Sequence, residues 1–562
     1  MELRNQPVQG ADVVMETEGH IASRAIASAT RTLRSQSPSA CQYVHRTGPG
    51  RPSCCPSGPG EEGQGRTLTM HDTRESDNGI VPQKSSNQAQ LCLREGVEGR
   101  PLTKGNTCQS PAARTQSRGP ASRGLGRVRQ AAKRDKHLQF TALFHHLTPQ
   151  LLCESFYALE RQAASGVDGV TWDSYKANLG ENLRALHARL HQGRYRTQPL
   201  RRVFIPKADG TQRPLGIACL EDKIVQQAVV SVLSTIYEGD FLGFSYGFRP
   251  GRSPHDALDA LAVGLVKQKV WWVLDADIQQ FYDTLDRHWL RRFLQHRIGD
   301  KRLLRLINKW LEIDIIDDDG QKTKPARGIA QGLVIGPLLS NLYLHYVFDL
   351  WSQAWRKKRA SGDVIITRFA DDIVLGFQYQ QEAAHFMSEL TERLGAFGLT
   401  LHPVKTRLIE FGRFAAERRR QRGQGKPETF EFLGFVHICS QRHRDQRFTV
   451  KRRTIKKRMR KQLQAIKATL MRRRHDPVPH LGAWLRRVVQ GHYNYYGVPG
   501  NMQSLKSFQG QVERYWFRAL RRRSQRHRMP WSRFRSLAKR WIPKPCIVHP
   551  YPDTRFDARH PR

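Results

Sequence analysis

The sequence predicts an α+β fold in a chain of two or three domains, preceded by a disordered extension. Three observations carry this expectation. Helical and strand patterns alternate from about residue 135 to 440. From about residue 441 the chain is strongly basic and carries one helical apolar stripe. Residues 1–125 have almost no apolar periodicity. The 562 residues carry a formal charge of +43, from 93 Lys and Arg against 50 Asp and Glu. A globular protein this basic repels itself unless a polyanion offsets the charge, and nucleic acid is the usual one.

Residues 1–125 are rich in Gly, Pro, Ser, Gln and Arg. Such a segment cannot bury enough apolar surface to offset its chain entropy, so disorder is expected. Met70 opens a more ordinary run and is the expected start of translation. Nine cysteines, scattered singly apart from Cys54-Cys55, show no metal-ligand spacing and no disulfide framework, which suits a reducing cytosol. No secretory leader pattern occupies residues 1–10, and no stretch approaches a membrane-spanning apolar run. A cytoplasmic protein with no membrane partner is expected.

Thr148 to Ala164 reads as a helix, with Thr148 as N-cap and Pro149 at the first position. Ser174 to His191 reads as another. Arg201 to Pro206 and Val270 to Leu274 read as strands. Val364 to Phe377 is two short apolar runs flanking Ala370-Asp371-Asp372, a tight hairpin with acid at its tip. From 441 onward there are 33 Lys and Arg against 5 Asp and Glu, a difference of +28. Within this stretch Ile455, Met459, Leu463, Ile466 and Leu470 recur at helical spacing, with Lys and Arg on most other faces. A helix packing one side on protein and showing the other to phosphates is expected over 441–545, followed by a short tail, 546–562.

The chemistry resides in aspartates. Asp277 follows the run Val270–Leu274, and Asp371-Asp372 come about 95 residues later. Adjacent carboxylates with apolar flanks repel in a poorly solvated place, and a divalent cation relieves the cost. Nucleotidyl transfer uses carboxylates on two strands to hold two Mg²⁺ roughly 4 Å apart. The plainer reading is a polar turn, since Asp is common in turns.

Further motifs decide between these readings. In chain order they are Gly166-Val167-Asp168-Gly169-Val170-Thr171, Ile205-Pro206-Lys207 with Arg213-Pro214-Leu215-Gly216-Ile217, and Phe244 to Ser253. Asp275-Ala276-Asp277-Ile278, Arg327 to Leu339 and Phe369-Ala370-Asp371-Asp372 follow. Leu401 to Thr406, Phe432-Leu433-Gly434-Phe435 and Gly491-His492-Tyr493-Asn494-Tyr495-Tyr496 complete the series. In this order the chain resembles the reverse transcriptase/maturase proteins encoded by bacterial group II introns, over about 70% of its length from Ala163 to Pro552.

The resemblance implies a right-hand polymerase, with fingers and palm over 126–440 and a helical thumb/maturase domain over 441–545. It implies an RNA-directed DNA polymerase that binds its intron RNA, assists splicing and copies the RNA into cDNA for retrohoming. Its partners would be intron RNA, an RNA template, a DNA primer or target, and dNTPs; its cofactor would be Mg²⁺. Asp277, Asp371 and Asp372 are the implied catalytic residues and, with the Ile278 carbonyl, the metal ligands. Asp275, two residues back on the same strand face, is expected to be a neighbour rather than a ligand.

Lys207 and Arg213 are expected to clamp the nucleotide triphosphate. Phe281 is expected to pack beneath the incoming sugar, and Gln331 to contact nucleotide or template. Lys405 would give a proton to departing pyrophosphate or hold a phosphate. Arg486, Arg487, Tyr493, Tyr495, Tyr496 and Arg521-Arg522-Arg523 are expected to bind RNA, as are Trp484, Trp516 and Phe517; the aromatics serve equally as helical core.

The chain departs from the family pattern at Phe369, where tyrosine is usual, at Ala218, and at Ile329, Ala330, Leu333 and Gly336 around Gln331. Leu333 replaces a glycine and so needs space and a compatible backbone angle. These changes keep open the alternative of a polymerase-dead RNA-binding splicing factor. Only 17 residues follow Pro545, with the single cysteine Cys546, so the family's optional endonuclease domain is expected to be absent.

Overall fold

The computed structural model describes residues 120–206, 212–317, 319–442, 445–524 and 529–559, all within one unit, Thr69–Arg562. Most of the expected extension lies outside the described residues, but its last few already belong to helix α1, Pro120–Arg134. Helix α2, Pro149–Ala158, starts where the capping pattern predicts: the Leu151 N–H donates to the Thr148 hydroxyl. It ends earlier than expected, because Leu159 is already extended. The second expected helix is two, α3 (Trp172–Ala177) and α4 (Leu179–His191). A capping box between Thr171 and Ser174 starts the first at Trp172, and Asn178 leaves the helical basin between them.

Strand β1 (Leu200–Pro206) pairs antiparallel with β2 (Gln212–Ile217), and Ile205 faces Arg213. The long buried helix α5 (Leu220–Tyr237) and α6 (Pro254–Lys267) precede β3 (Trp272–Asp277). Strand β3 begins two residues later than its apolar run and carries on through Asp277. Helices α7 (Phe281–Thr284), α8 (Arg287–Arg297) and α9 (Lys301–Leu311) follow. Short strands β4 (Ile315–Ile316) and β5 (Lys322–Thr323) then extend the first sheet in the order β2-β1-β4-β5.

Helix α10 (Gly336–Leu344) runs through a π-helical turn, His345–Asp349, into α11 (Leu350–Lys358). The acidic hairpin is β6 (Val364–Phe369) and β7 (Asp372–Phe377). After α12 (Gln380–Gly395), β8 (Arg407–Glu410) completes an antiparallel sheet in the order β6-β7-β3-β8. Strand alternation gives this sheet two apolar faces. Leu274, Ile366 and Leu375 enter one core with α5, while Val273, Ile365, Val374 and Ile409 enter a second.

Beyond α13 (Ala415–Gln421), a third sheet is formed by β9 (Phe430–Phe432), β10 (Phe435–Gln441) and β11 (Phe448–Thr454). Leu433 and Gly434 join β9 to β10 at φ 46° and 86°, the two-residue hairpin connection that needs positive φ twice. Four helices finish the second core: α14 (Lys456–Arg472), α15 (Val478–Tyr496), α16 (Met502–Arg521) and α17 (Trp531–Trp541). The expected stripe faces inward on α14, with Leu463, Ile466 and Leu470 buried. Helix α18 (Pro552–Arg559) packs on α6, where buried Asp259 pairs with both Arg452 of β11 and Arg555. Among the described residues no helix is long and apolar enough to cross a membrane.

Candidate active site

In the β3–β7 register Asp277 lies opposite Asp372, and Asp275 opposite Val374. Residues two apart share a strand face, so Asp275, Asp277 and Asp372 all lie on the face of Val273 and Val374. Directly opposed like charges are unfavourable unless a cation accompanies them. Asp371 occupies the turn of the hairpin, beside Ala370 at φ 56°. A non-glycine residue there costs on the order of 1–2 kcal/mol.

That turn is held from beneath. Arg368, wholly buried, donates to the Ala370 carbonyl (3.0 Å), Asn341 Oδ1 (2.9 Å) and Ser245 Oγ (2.7 Å). It also pairs with both oxygens of buried Asp349, at 2.7 and 2.6 Å. The segment Phe244–Ser253 wraps the same place. The Arg368 N–H donates to the Phe244 carbonyl at 2.9 Å, and the Tyr246 N–H to the Arg368 carbonyl at 2.8 Å. Gly247 is required by contact: a Cβ there would stand 2.3 Å from the Ala370 nitrogen. The motif that is most distinctive in the sequence is therefore the bed of the aspartate turn. Arg368, Asp349 and Asn341 escaped the sequence reading, although a charged residue inside the apolar run Val364–Phe369 was the available signal.

Asp277 is framed by residues 401–406. Its carbonyl accepts from the His402 N–H at 2.8 Å, and Ile278 bridges Leu401. The bonds of that bridge use the carbonyls of Asp277 and Thr400, so neither uses the Ile278 carbonyl. Lys405 Nζ stands 3.1 Å from Asp277 Oδ2, rather than alone in the cleft. Arg407 lies 3.8 Å from Asp275, whose carboxyl burial pushes up to about 6, with Arg407 opposing and Asp277 adding to the rise. Among the described residues no three Asp, Glu, His or Cys side chains form a ready-made metal cluster. The donor set still suits a hard divalent ion: carboxylate oxygens on adjoining strands, with the Lys405 ammonium supplying the positive charge they require.

Arg213 projects from β2, while Lys207 lies outside the described residues. The Gln331 segment is tied to the same strand, since the Gly216 N–H donates to the Gln331 carbonyl at 2.7 Å. Gly332 sits at φ 110° with its Cβ position 2.5 Å from the Gly216 oxygen, so only glycine fits. Of the departures, Ile329 and Leu333 are buried and Ala330 packs against the core. Leu333 is not among the residues with positive φ, so the side chain replaces glycine without backbone strain. Gln226 Oε1 accepts the Val334 N–H at 2.8 Å and holds this segment to α5. Phe281 is 3% exposed, its ring part of the first core, so little of it is presented to a sugar.

The aromatic part of the expected RNA surface is corrected. Tyr493, Tyr496 and Trp516 are buried in the second core and offer no face to a base; Trp484 and Phe517 pack against that core. The Tyr495 hydroxyl is engaged, donating to the Leu433 carbonyl at 2.8 Å. The helical spacing that suggested interleaved aromatics is the spacing of a core face. The cations remain outside: Arg486, Arg487, Arg521 and Arg522 are exposed, and Arg523 donates to the Asp476 carbonyl at 2.6 Å.

Residues 205–437 match the model of the family described as reverse transcriptase (RNA-dependent DNA polymerase), which implies the right-hand polymerase fold. Protein YkfC of Escherichia coli is 36% identical over 252 residues, covering 39% of this chain and 65% of that protein. The group II intron-encoded protein LtrA of Lactococcus lactis is 31% identical over 223 residues, 39% of this chain and 37% of LtrA. A putative COX1/OXI3 intron 1 protein of Saccharomyces cerevisiae is 27% identical over 303 residues, 46% of this chain and 36% of that protein. The chain thus spans less than two thirds of the length of each. Residues 205–437 are thus a reverse transcriptase domain, and the chain is similar over that region to group II intron-encoded proteins.

Proposed function

We propose that the chain is an RNA-directed DNA polymerase that also binds its group II intron RNA, assists its splicing and copies it into cDNA for retrohoming. The observation that carries this reading is the register of Asp277 against Asp372, beside the Asp371 turn that Arg368 holds. The β2-β1-β4-β5 sheet serves as fingers, the β6-β7-β3-β8 sheet as palm, and α14–α17 as thumb and maturase surface.

Asp277, Asp371 and Asp372, with the Ile278 carbonyl, would hold Mg²⁺. Two bound ions supply a lower pKa for a primer 3′-OH and positive charge at the leaving pyrophosphate. Lys405, 3.1 Å from Asp277, is also the ammonium that would take a phosphate oxygen beside these carboxylates. Arg213 approaches the triphosphate from β2, with Gln331 tied behind Gly216, and Lys207 is the second cation of the proposed clamp. Phe281 acts as buried support of that wall. The exposed Arg486, Arg487, Arg521 and Arg522 neutralise RNA phosphates, so binding weakens as salt rises.

Primer extension on an RNA template with dNTPs and Mg²⁺ tests the reading. Full-length cDNA is expected from the parent protein and none from the double variant Asp371→Ala, Asp372→Ala. No cDNA from parent protein that still binds intron RNA tightly would replace it with the splicing-factor reading.

A further inference from the structure

The turn that carries Lys405 is fixed at both ends to the backbone of one residue, Asp277. At its start the His402 N–H donates to the Asp277 carbonyl at 2.8 Å. At its end the Thr406 hydroxyl lies 3.4 Å from both the nitrogen and the carbonyl oxygen of Asp277, accepting from the first and donating to the second. The Thr406 N–H closes the turn onto the His402 carbonyl at 2.9 Å. Lys405, one residue before the second anchor, places Nζ 3.1 Å from Oδ2 of the same aspartate. Where the ammonium stands is therefore set by the shape of the chain between His402 and Thr406.

Between those anchors the turn has no apolar support. Pro403, Val404 and Lys405 are all exposed, Val404 by 79%. One side chain holds the turn from within: Nδ1 of half-buried His402 accepts the Val404 N–H at 3.3 Å. An Asp or Asn side chain usually makes this bond, to the N–H two residues on. Here the imidazole makes it, because Nδ1 is bonded to Cγ as the Oδ1 of an asparagine is. A lysine has a flexible four-carbon stem, so its ammonium stays in one place only if the backbone that carries it is fixed.

We propose that His402 is a positioning residue for Lys405: by holding the Val404 N–H, its Nδ1 sets where the ammonium stands beside Asp277 as each nucleotide is added. This rests on the polymerase reading above. The imidazole acts through the turn and not on the substrate, since the nitrogen that is engaged is the one facing Val404. A charged group serves a reaction only from a fixed place, and misplacement alone lowers the rate.

The test is kcat for single-nucleotide incorporation by the full chain, on an RNA template annealed to a DNA primer with Mg²⁺. His402→Ala is expected to lower kcat about tenfold, the scale of one hydrogen bond. His402→Asn keeps an acceptor where Nδ1 stands and is expected to come within about twofold of the parent. His402→Gln carries its polar atoms where Nε2 stands and is expected to match His402→Ala. In a Lys405→Ala background His402→Ala is expected to lower kcat no further, whereas general loosening of the site would add to the loss. Rescue by Gln instead of Asn would assign the imidazole to direct contact through Nε2 and overturn the proposal. Additive losses in the double variant, or parent-like kcat in His402→Ala, would overturn it too. The Asn and Gln variants decide the matter even where His402→Ala does not fold. An inactive parent strikes the polymerase reading and this proposal with it, while additivity in an active parent strikes this proposal alone.

Discussion

Arg368 and Asp349 form an ion pair with no exposed surface on either side chain, and the same guanidinium holds the carbonyl of Ala370 beneath the aspartate turn. The pair thus joins the π-helical turn at the end of α10 to the residue next to Asp371. Removing one partner leaves an uncompensated buried charge, which costs about 3–5 kcal/mol, whereas replacing both with apolar groups is often neutral. Arg368→Ala is expected to lower the melting temperature sharply. The double variant Arg368→Met, Asp349→Leu is expected to recover most of that stability but not primer extension, since Ala370 has lost its donor. Calorimetry and extension on the same preparations check both halves, and full activity in the double variant would refute the link.

Lys405 pairs at 3.1 Å with Asp277, one of the proposed Mg²⁺ ligands. The pair is half in solvent, so its contribution to stability is at most about 1 kcal/mol. Lys405→Ala is expected to leave the melting temperature nearly unchanged, to lower the Mg²⁺ concentration for half-maximal extension, and to lower kcat. A Mg²⁺ titration of extension rate decides this; an unchanged half-saturation point counts against a shared position.

Leu333 is a departure from the family pattern that the core has absorbed. Restoring the usual glycine would leave a cavity and add backbone freedom, so Leu333→Gly is expected to cost at least about 2 kcal/mol rather than to improve the enzyme. Gly336→Ser, another return to pattern, finds its nearest neighbours at 3.9 Å and is expected to be tolerated. Urea denaturation of the two variants separates these outcomes.

Four buried histidines set an acid limit. Burial lowers His255 to about 2, and His345, His437 and His492 to about 3. In the unfolded chain they titrate near 6.5, so as pH falls through that value the unfolded state binds protons that the native state refuses. The stability is present above about pH 6.5 and is lost on acidification. Burial also lowers His146, His187, His296 and His549, whereas Asp222 and Asp275, pushed up to about 6, and Asp240, Asp349 and Glu513, raised as well, act in the opposite sense. The net expectation is a loss of stability as pH falls from about 6.5 to about 5. Equal denaturation midpoints at pH 7.5 and 5.5 would contradict it.

The sequence by itself determined the parts that local chemistry dictates. Thr148-Pro149 starts a helix, two apolar runs around Ala370-Asp371-Asp372 make a hairpin, and Ile455 to Leu470 buries one helix face. Periodicity and capping act over a few residues, and each is legible without knowing what lies opposite. It also placed Asp275 and Asp277 on one strand face, because alternation is a property of the strand alone. Only the tertiary structure decided what lies across from them: Asp372 in register, Lys405 on Asp277, and Arg368 reaching Ser245 and Asp349 from distant segments. The tyrosines of residues 491–496 show the limit most clearly. An aromatic on a basic helix reads the same whether it faces RNA or the core, and burial against partners far along the chain placed Tyr493 and Tyr496 inside and Tyr495 on Leu433.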